Sequence, residues 1–221
     1  MSTIRVISDI LDANERIAAE NAALFAEAGV YVLNLMGSPG CGKTSLLERT
    51  CEEVRGALRV GVIEGDIQGS IDAERISRLG VKAVQINTGG ACHLDGNMIR
   101  DALDEFSLPE LDLLVVENVG NLVCPAEFQL GEDAKVMILS VAEGDDKPLK
   151  YPLMFQESSV LLVNKIDLLP YVDCSLDLIM DRARALNPDL VIFPVSSKTG
   201  AGLEEWTRWL QSQVGEKCRS A

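Results

Sequence analysis

Gly37-Ser38-Pro39-Gly40-Cys41-Gly42-Lys43-Thr44 has the G-x-x-x-x-G-K-[ST] spacing of a phosphate-binding loop. Its chemistry follows from its residue types. Glycines let successive backbone N–H groups turn inward towards phosphate oxygens, and a helix starting at the loop adds its positive dipole end. Lys43 supplies a point charge for the β and γ phosphates, and Thr44, followed by Ser45, places a hydroxyl for Mg²⁺. A second motif, Asn164-Lys165-Ile166-Asp167, has the N-K-x-D form of a guanine-reading loop. A carboxylate at Asp167 accepts from guanine N1–H and from the exocyclic amino group, donors that adenine does not offer in that arrangement. The stem of Lys165 can lie over the base, and Asn164 can tie this loop to the phosphate loop. Ser196-Ser197-Lys198 resembles the S-A-K loop that supports the base from its other side.

Mg²⁺ needs oxygen ligands beyond Thr44 and the phosphates. Asp66 and Glu117 stand at the ends of apolar β-type runs and are the candidates. Glu117-Asn118-Val119-Gly120 is an E-x-x-G where GTP-binding proteins usually carry D-x-x-G. Gly120 is placed to donate its N–H to a γ-phosphate and to act as a switch pivot. Asp66 or Asp72 could serve as a general base. No glutamine stands ready to orient water, so intrinsic hydrolysis is expected to be slow.

Cys92 and His93 form a second constellation with Cys124, which lies just beyond the switch segment. A thiol and an imidazole adjacent on a Gly-rich loop are poor core material. Two thiolates and an imidazole suit Zn²⁺ or Ni²⁺. Three ligands leave an open position or call for a second subunit. Alternatively, Cys92 and His93 face different ions at a two-fold axis. Because Cys124 follows the segment that senses γ-phosphate, moving Gly120 would move Cys124, a route from nucleotide state to metal affinity.

These residues need a scaffold that brings strand ends together. Apolar runs at 30–36, 59–64, 82–86, 112–117, 135–141, 159–163 and 190–194 predict strands. Helical spacing predicts helices over 7–28, 43–55, 69–79, 95–106, 149–156, 174–186 and 203–214. Continuous apolar strands alternating with helices predict an α/β fold: a mostly parallel, doubly wound sheet with ligands at the strand carboxyl ends. The expected organisation is an accessory helix over 1–29, a P-loop GTPase domain with the metal site embedded over 30–215, and a tail at 216–221.

The chain has 221 residues and a formal charge of −14. That balance argues against nucleic acid, which needs a basic face, and against anionic membranes. No apolar run approaches the ~20 residues of a membrane span. Met1-Ser2-Thr3-Ile4-Arg5 has no basic-then-apolar export pattern, so a cytoplasmic protein is expected. Its cysteines (Cys41, Cys51, Cys92, Cys124, Cys174 and Cys218) should then be reduced thiols, and those outside the metal constellation read as packing or incidental.

Taken together, Gly37–Thr44, Glu64-Gly65-Asp66, Asp72–Ile76, Thr88–Asp95, Glu117–Pro125, Glu143–Pro152 and Asn164–Asp167 resemble the hydrogenase maturation GTPases of the HypB family. Urease accessory GTPases are similar but carry Cys-Pro-His, whereas Cys92-His93 here has no intervening proline. The resemblance implies a dimeric-type P-loop GTPase, GTP-hydrolysing and acting as a nickel metallochaperone for [NiFe]-hydrogenase. It implies a homodimer promoted by GTP, and a Zn²⁺/Ni²⁺ site of Cys92, His93 and Cys124 at the subunit interface. It further implies a HypA-type maturation protein and the hydrogenase large subunit as partners. Many relatives carry an N-terminal Cys-x-x-Cys-Gly-Cys or a His-rich stretch. Met1–Val6 holds no soft ligand, so no nickel site or store is expected there. Lys147 or Lys150 are candidates to act across a dimer. Two other readings compete: a nucleotide-gated metal-binding module whose hydrolysis is only a reset, and a small-molecule kinase.

Overall fold

The structure, a computed structural model, describes residues 6–67 and 71–220. The N-terminal residues 1–5, the first positions of the expected helix 69–79 and the last tail residue lie outside the described residues. The order of elements is α1 (Val6–Ala28), β1 (Tyr31–Gly37), α2 (Lys43–Val54), β2 (Val60–Asp66), α3 (Ile71–Ser77), β3 (Lys82–Asn87), α4 (Gly96–Leu103), β4 (Leu113–Glu117) and α5 (Cys124–Glu127). It continues with β5 (Ala134–Ser140), α6 (Lys147–Lys150), α7 (Pro152–Glu157), β6 (Val160–Asn164), α8 (Leu176–Leu186), β7 (Val191–Pro194) and α9 (Leu203–Ser220).

The strands form one 7-stranded sheet in the order β3-β2-β4-β1-β5-β6-β7, and every pairing is parallel. Continuous apolar strands are what a sheet covered on both faces requires. One face packs Leu33, Val115 and Leu162 against Leu46 and Leu47 of α2 and Trp206 and Leu210 of α9. The other face is covered in two parts. Met137 and Val163 pack on Phe155 of α7 and Ile179 of α8. Val32, Ile63 and Val116 pack on Phe25 of α1 and Ile99 of α4.

The first helix is therefore a core element rather than an appendage. Phe25 is wholly buried, which contributes about 2 kcal/mol. Asn21 donates to the carbonyls of Gly96 (2.8 Å) and Leu130 (3.2 Å), and Asn14 accepts from the Gly96 N–H at 2.8 Å. Helix α1 thus fixes the start of α4, immediately after the Cys92-His93 loop.

Several expected boundaries move. The helix over 149–156 is two short helices, because Tyr151 leaves helical geometry ahead of Pro152. The helix expected over 174–186 begins at Leu176, because the Ser175 side chain caps it by accepting from the Leu178 N–H. Cys174 consequently precedes that helix instead of lying in it. The helix expected to stop at 214 continues to Ser220 and takes up the tail. Lys217 docks on Asp133 at 2.6 Å, which holds the last turns. Helix α5 matches none of the expected helices, because its 4 residues are too few to show periodicity.

Candidate functional site

The sheet order explains the site. Strand β1 sits centrally between β4 and β5, so the phosphate loop at its carboxyl end is flanked by the ends of β4 and β2 on one side and of β5, β6 and β7 on the other. A cleft of about 550 Å³ opens there, lined by Gly40, Lys43, Thr44, Glu64, Asp66 and Glu117 among others. Gly42 enters α2 with φ 101°, and a Cβ on it would stand 2.6 Å from Asn164 Nδ2. Only glycine meets both conditions.

Asn164 Nδ2 donates to the Cys41 carbonyl at 3.0 Å, and its Oδ1 accepts from the Ser197 N–H at 3.2 Å. Lys165 holds a left-handed φ of 61° and donates to the Gly40 carbonyl at 2.6 Å. Such a backbone costs about 1 kcal/mol or more and persists where the surroundings impose it. Asp167 accepts from Ser196 Oγ at 2.6 Å. Lys198 is exposed on the following turn. Ser38 donates to Glu143 at 2.5 Å, and Cys41 turns its thiol into the core, where burial pushes it up to about 11.

Lys43 is buried and bends back onto the Gly37 and Ser38 carbonyls at 3.4 Å each. Thr44 Oγ1 donates to Glu117 Oε1 at 2.9 Å. Asp66 lies at the rim, exposed, accepting from the Ile67 N–H at 2.6 Å. Gly120 packs so closely on the phosphate loop that a Cβ there would stand 2.9 Å from Pro39 Cγ. Lys147 donates to the Glu143 carbonyl at 2.6 Å, and Lys150 pairs with Asp146 at 2.5 Å.

One carboxylate was not legible as a site residue. Glu64 pairs with Glu117 across neighbouring strands, and both are buried, at 3% and 5% exposure. Glu64 Oε1 and Glu117 Oε2 have no hydrogen-bond partner. The signal of Glu64 was a charge placed directly after the apolar run Val60-Gly61-Val62-Ile63, within the same strand. Burial pushes both carboxyls above the ordinary glutamate range; the neighbouring Glu117 charge adds to the rise at Glu64, whereas Lys43 and the Thr44 hydroxyl hold Glu117 back, and Lys43 opposes the rise at Glu64 as well. A divalent cation fits these unpaired oxygens.

A carboxyl whose folded pKa exceeds its unfolded value stabilises the fold only while it holds its proton. Stability therefore falls as pH rises above the ordinary glutamate range. Glu64→Gln is neutral without having to hold a proton, and offers an N–H to Glu117. It is expected to raise stability at pH 8 by about 1–3 kcal/mol, or about 2–4 °C of melting temperature per kcal/mol at this chain length. Its melting temperature should also fall less between pH 5 and pH 8 than that of the unchanged protein. A steeper fall would refute the assignment.

The second centre lies over the end of β2. The loops after β3 and β4 converge there because β2 sits between those strands. Leu94 roofs Gly65, where a Cβ would stand 2.6 Å from Leu94 Cδ1. Cys92 Sγ and Cys124 Sγ are 3.1 Å apart, and Cys92 Sγ is 3.5 Å from His93 Nδ1. Ligand atoms of Cys92, His93 and Cys124 all lie within 4.8 Å of one another. A single chain thus collects all three, and no division between two ions is needed to explain them. His93 packs on Phe128 with ring centroids 3.9 Å apart and the planes tilted by 38°, so the residue that ends α5 adds an aromatic support beside the Cys124 thiol. Burial pulls His93 below its ordinary value, against Asp95 and Glu127, which favours the neutral, ligating imidazole. The Cys124 thiol is pushed up, first by its hydrogen bond with Cys92 and then by burial.

The comparisons agree with this geometry. Residues 31–194 match the family CobW/HypB/UreG, nucleotide-binding domain. The chain is 51% identical, over 98% of its length, to the hydrogenase maturation factor HypB of Azotobacter vinelandii, of which it covers 72%. The crystal structure of HypB from Archaeoglobus fulgidus, 39% identical, matches with a TM-score of 0.87 over 92% of this chain and 99% of that one. HypB from Helicobacter pylori, solved in complex with nickel and 40% identical, also matches at 0.87, over 92% and 96% of the two chains. Among the described residues no helix is long and apolar enough to cross a membrane. Sharing its fold with the solved HypB structures and 51% of aligned residues with one HypB along nearly its whole length, the chain belongs to the HypB family of hydrogenase maturation factors.

Proposed function

We propose that this protein hydrolyses GTP to GDP and phosphate and uses the nucleotide state to control a nickel cargo held by Cys92, His93 and Cys124. The observation that carries the reading is that the single segment 117–124 joins Glu117, buried in the nucleotide cleft, to the Cys124 thiol 3.1 Å from Cys92 Sγ. Lys43, Ser45 and the backbone N–H groups of the Gly37–Thr44 loop other than Pro39 bind the phosphates, with Gly120 facing the outermost one. Asn164, Lys165 and Asp167 read guanine, backed by Ser196, Ser197 and Lys198. Thr44 and Glu117, with Asp66 at the rim, would hold Mg²⁺. Bound there, the ion neutralises charge on the β and γ phosphates. Catalysis rests on positioning and charge, with no covalent intermediate. Zn²⁺ is a second occupant for the thiol centre by ligand chemistry. The chain acts as a GTP-promoted homodimer in the cytoplasm, with a HypA-type protein and the hydrogenase large subunit as partners.

Lys43→Ala tests this reading. Hydrolysis and nickel transfer to the metal-free large subunit are both expected to be lost, hydrolysis by at least about 10²-fold. Transfer persisting without turnover would favour the gated binding module. Equal hydrolysis of ATP and GTP would contradict the guanine assignment.

A further inference from the structure

We infer that Asn121 is the positioning residue through which the phosphate loop sets the spacing of the two thiols; this rests on the nucleotide-coupled reading above. Each of three polar groups of Asn121 reaches a different element. Its backbone N–H donates to the Gly37 carbonyl at 3.1 Å, where the phosphate loop begins. Its Nδ2 donates to the carbonyl of Cys92, a metal ligand, at 3.2 Å. Its Oδ1 accepts from the N–H of Val123, the residue before Cys124, at 2.8 Å.

The last of these is a common local turn. The other two are not needed for that turn, and they join segments far apart in sequence. Neighbouring groups are anchored to the sheet. Asn118 Oδ1 accepts from the Leu94 N–H at 3.0 Å, which ties the residue after His93 to the end of β4. Buried Lys135 of β5 donates to the Ala126 carbonyl at 2.7 Å, which pins the far end of α5. Gly120, next to Asn121, has no slack against Pro39. A shift of the phosphate loop or Gly120 is thus passed to Asn121, which pulls on the Cys92 carbonyl and the start of α5 together. An amide suits the position because its donor and its acceptor are separate atoms, one facing Cys92 and the other Val123.

The test is the ratio of nickel affinities in GDP-loaded and GTP-analogue-loaded full-length protein, read by competition with a chromophoric chelator. In the unchanged protein the ratio should differ from one by at least about fivefold. Asn121→Asp keeps the acceptor for Val123 but loses the donor to Cys92, and Asn121→Ser weakens both. In either variant, nickel still gives a thiolate charge-transfer band, but the ratio should fall to within about twofold of one. A folded variant with the unchanged ratio overturns the assignment to Asn121. A ratio of one in the unchanged protein condemns the coupling reading itself, before any variant is made. Should both variants unfold, amide exchange at Val123 in the unchanged protein decides: different protection in the two nucleotide states supports the role, and identical protection overturns it.

Discussion

Replacing Asp167 with asparagine is expected to weaken GTP binding by about 10²- to 10⁴-fold. Two hydrogen bonds to a charged acceptor are lost, each worth about 1.5–3 kcal/mol, and 1.4 kcal/mol is tenfold in affinity. Rotation of the side chain does not repair the loss, because with its oxygen on N1–H the asparagine amide turns its own donors towards the exocyclic amino group of guanine. The same amide suits a base with a carbonyl in place of the exocyclic amino group. Xanthosine triphosphate should therefore gain where GTP loses, in a competition assay against a fluorescent guanine nucleotide. Ser196 is poised to make the effect sharp. Its hydroxyl holds Asp167 Oδ1 at 2.6 Å, which orients the carboxylate and leaves its other oxygen for the base. Unchanged preference for GTP in Asp167→Asn would remove the base-reading assignment.

The second large effect belongs to Cys124. Cys124→Ala is expected to lower nickel affinity by at least about 10²-fold, because loss of a ligand outweighs the 10- to 100-fold cost of losing a supporting residue. Folding should be little changed, since the thiol is only part-buried. The pH dependence has a definite sign. Binding needs thiolates, and the Cys124 thiol is pushed up by Cys92 and by burial. Affinity in the unchanged protein should therefore rise with pH, by up to tenfold per unit for each proton displaced. Cys124→Ala should flatten that slope. A slope independent of Cys124 would place the metal elsewhere.

Motifs that act through the backbone were readable because their chemistry dictates both spacing and context. Gly42 had to be glycine for φ and for space beside Asn164, and Asn164 had to reach the phosphate loop. The apolar strands were readable because burial on both faces leaves no room for alternation. Glu64 was not, since a charge in a buried strand finds its meaning only beside Glu117 on the neighbouring strand. Phe128 and Asn121 escaped for a related reason. Their roles depend on loops from different strands meeting over β2, and strand order cannot be read from the periodicity of any one segment. Helix ends were missed where side-chain caps or distant ion pairs set them, as with Ser175 before α8 and Lys217 on α9. The character of the first helix needed the fold as well: Asn14 and Asn21 look like surface amides until Gly96 arrives beside them.

The most direct test of the coupled nucleotide and metal sites is a nickel titration of the unmodified protein, loaded with GDP in one series and with a non-hydrolysable GTP analogue in the other. Affinities differing by about fivefold or more are predicted, with the difference abolished in Cys124→Ala. Identical affinities in the two series would contradict the account.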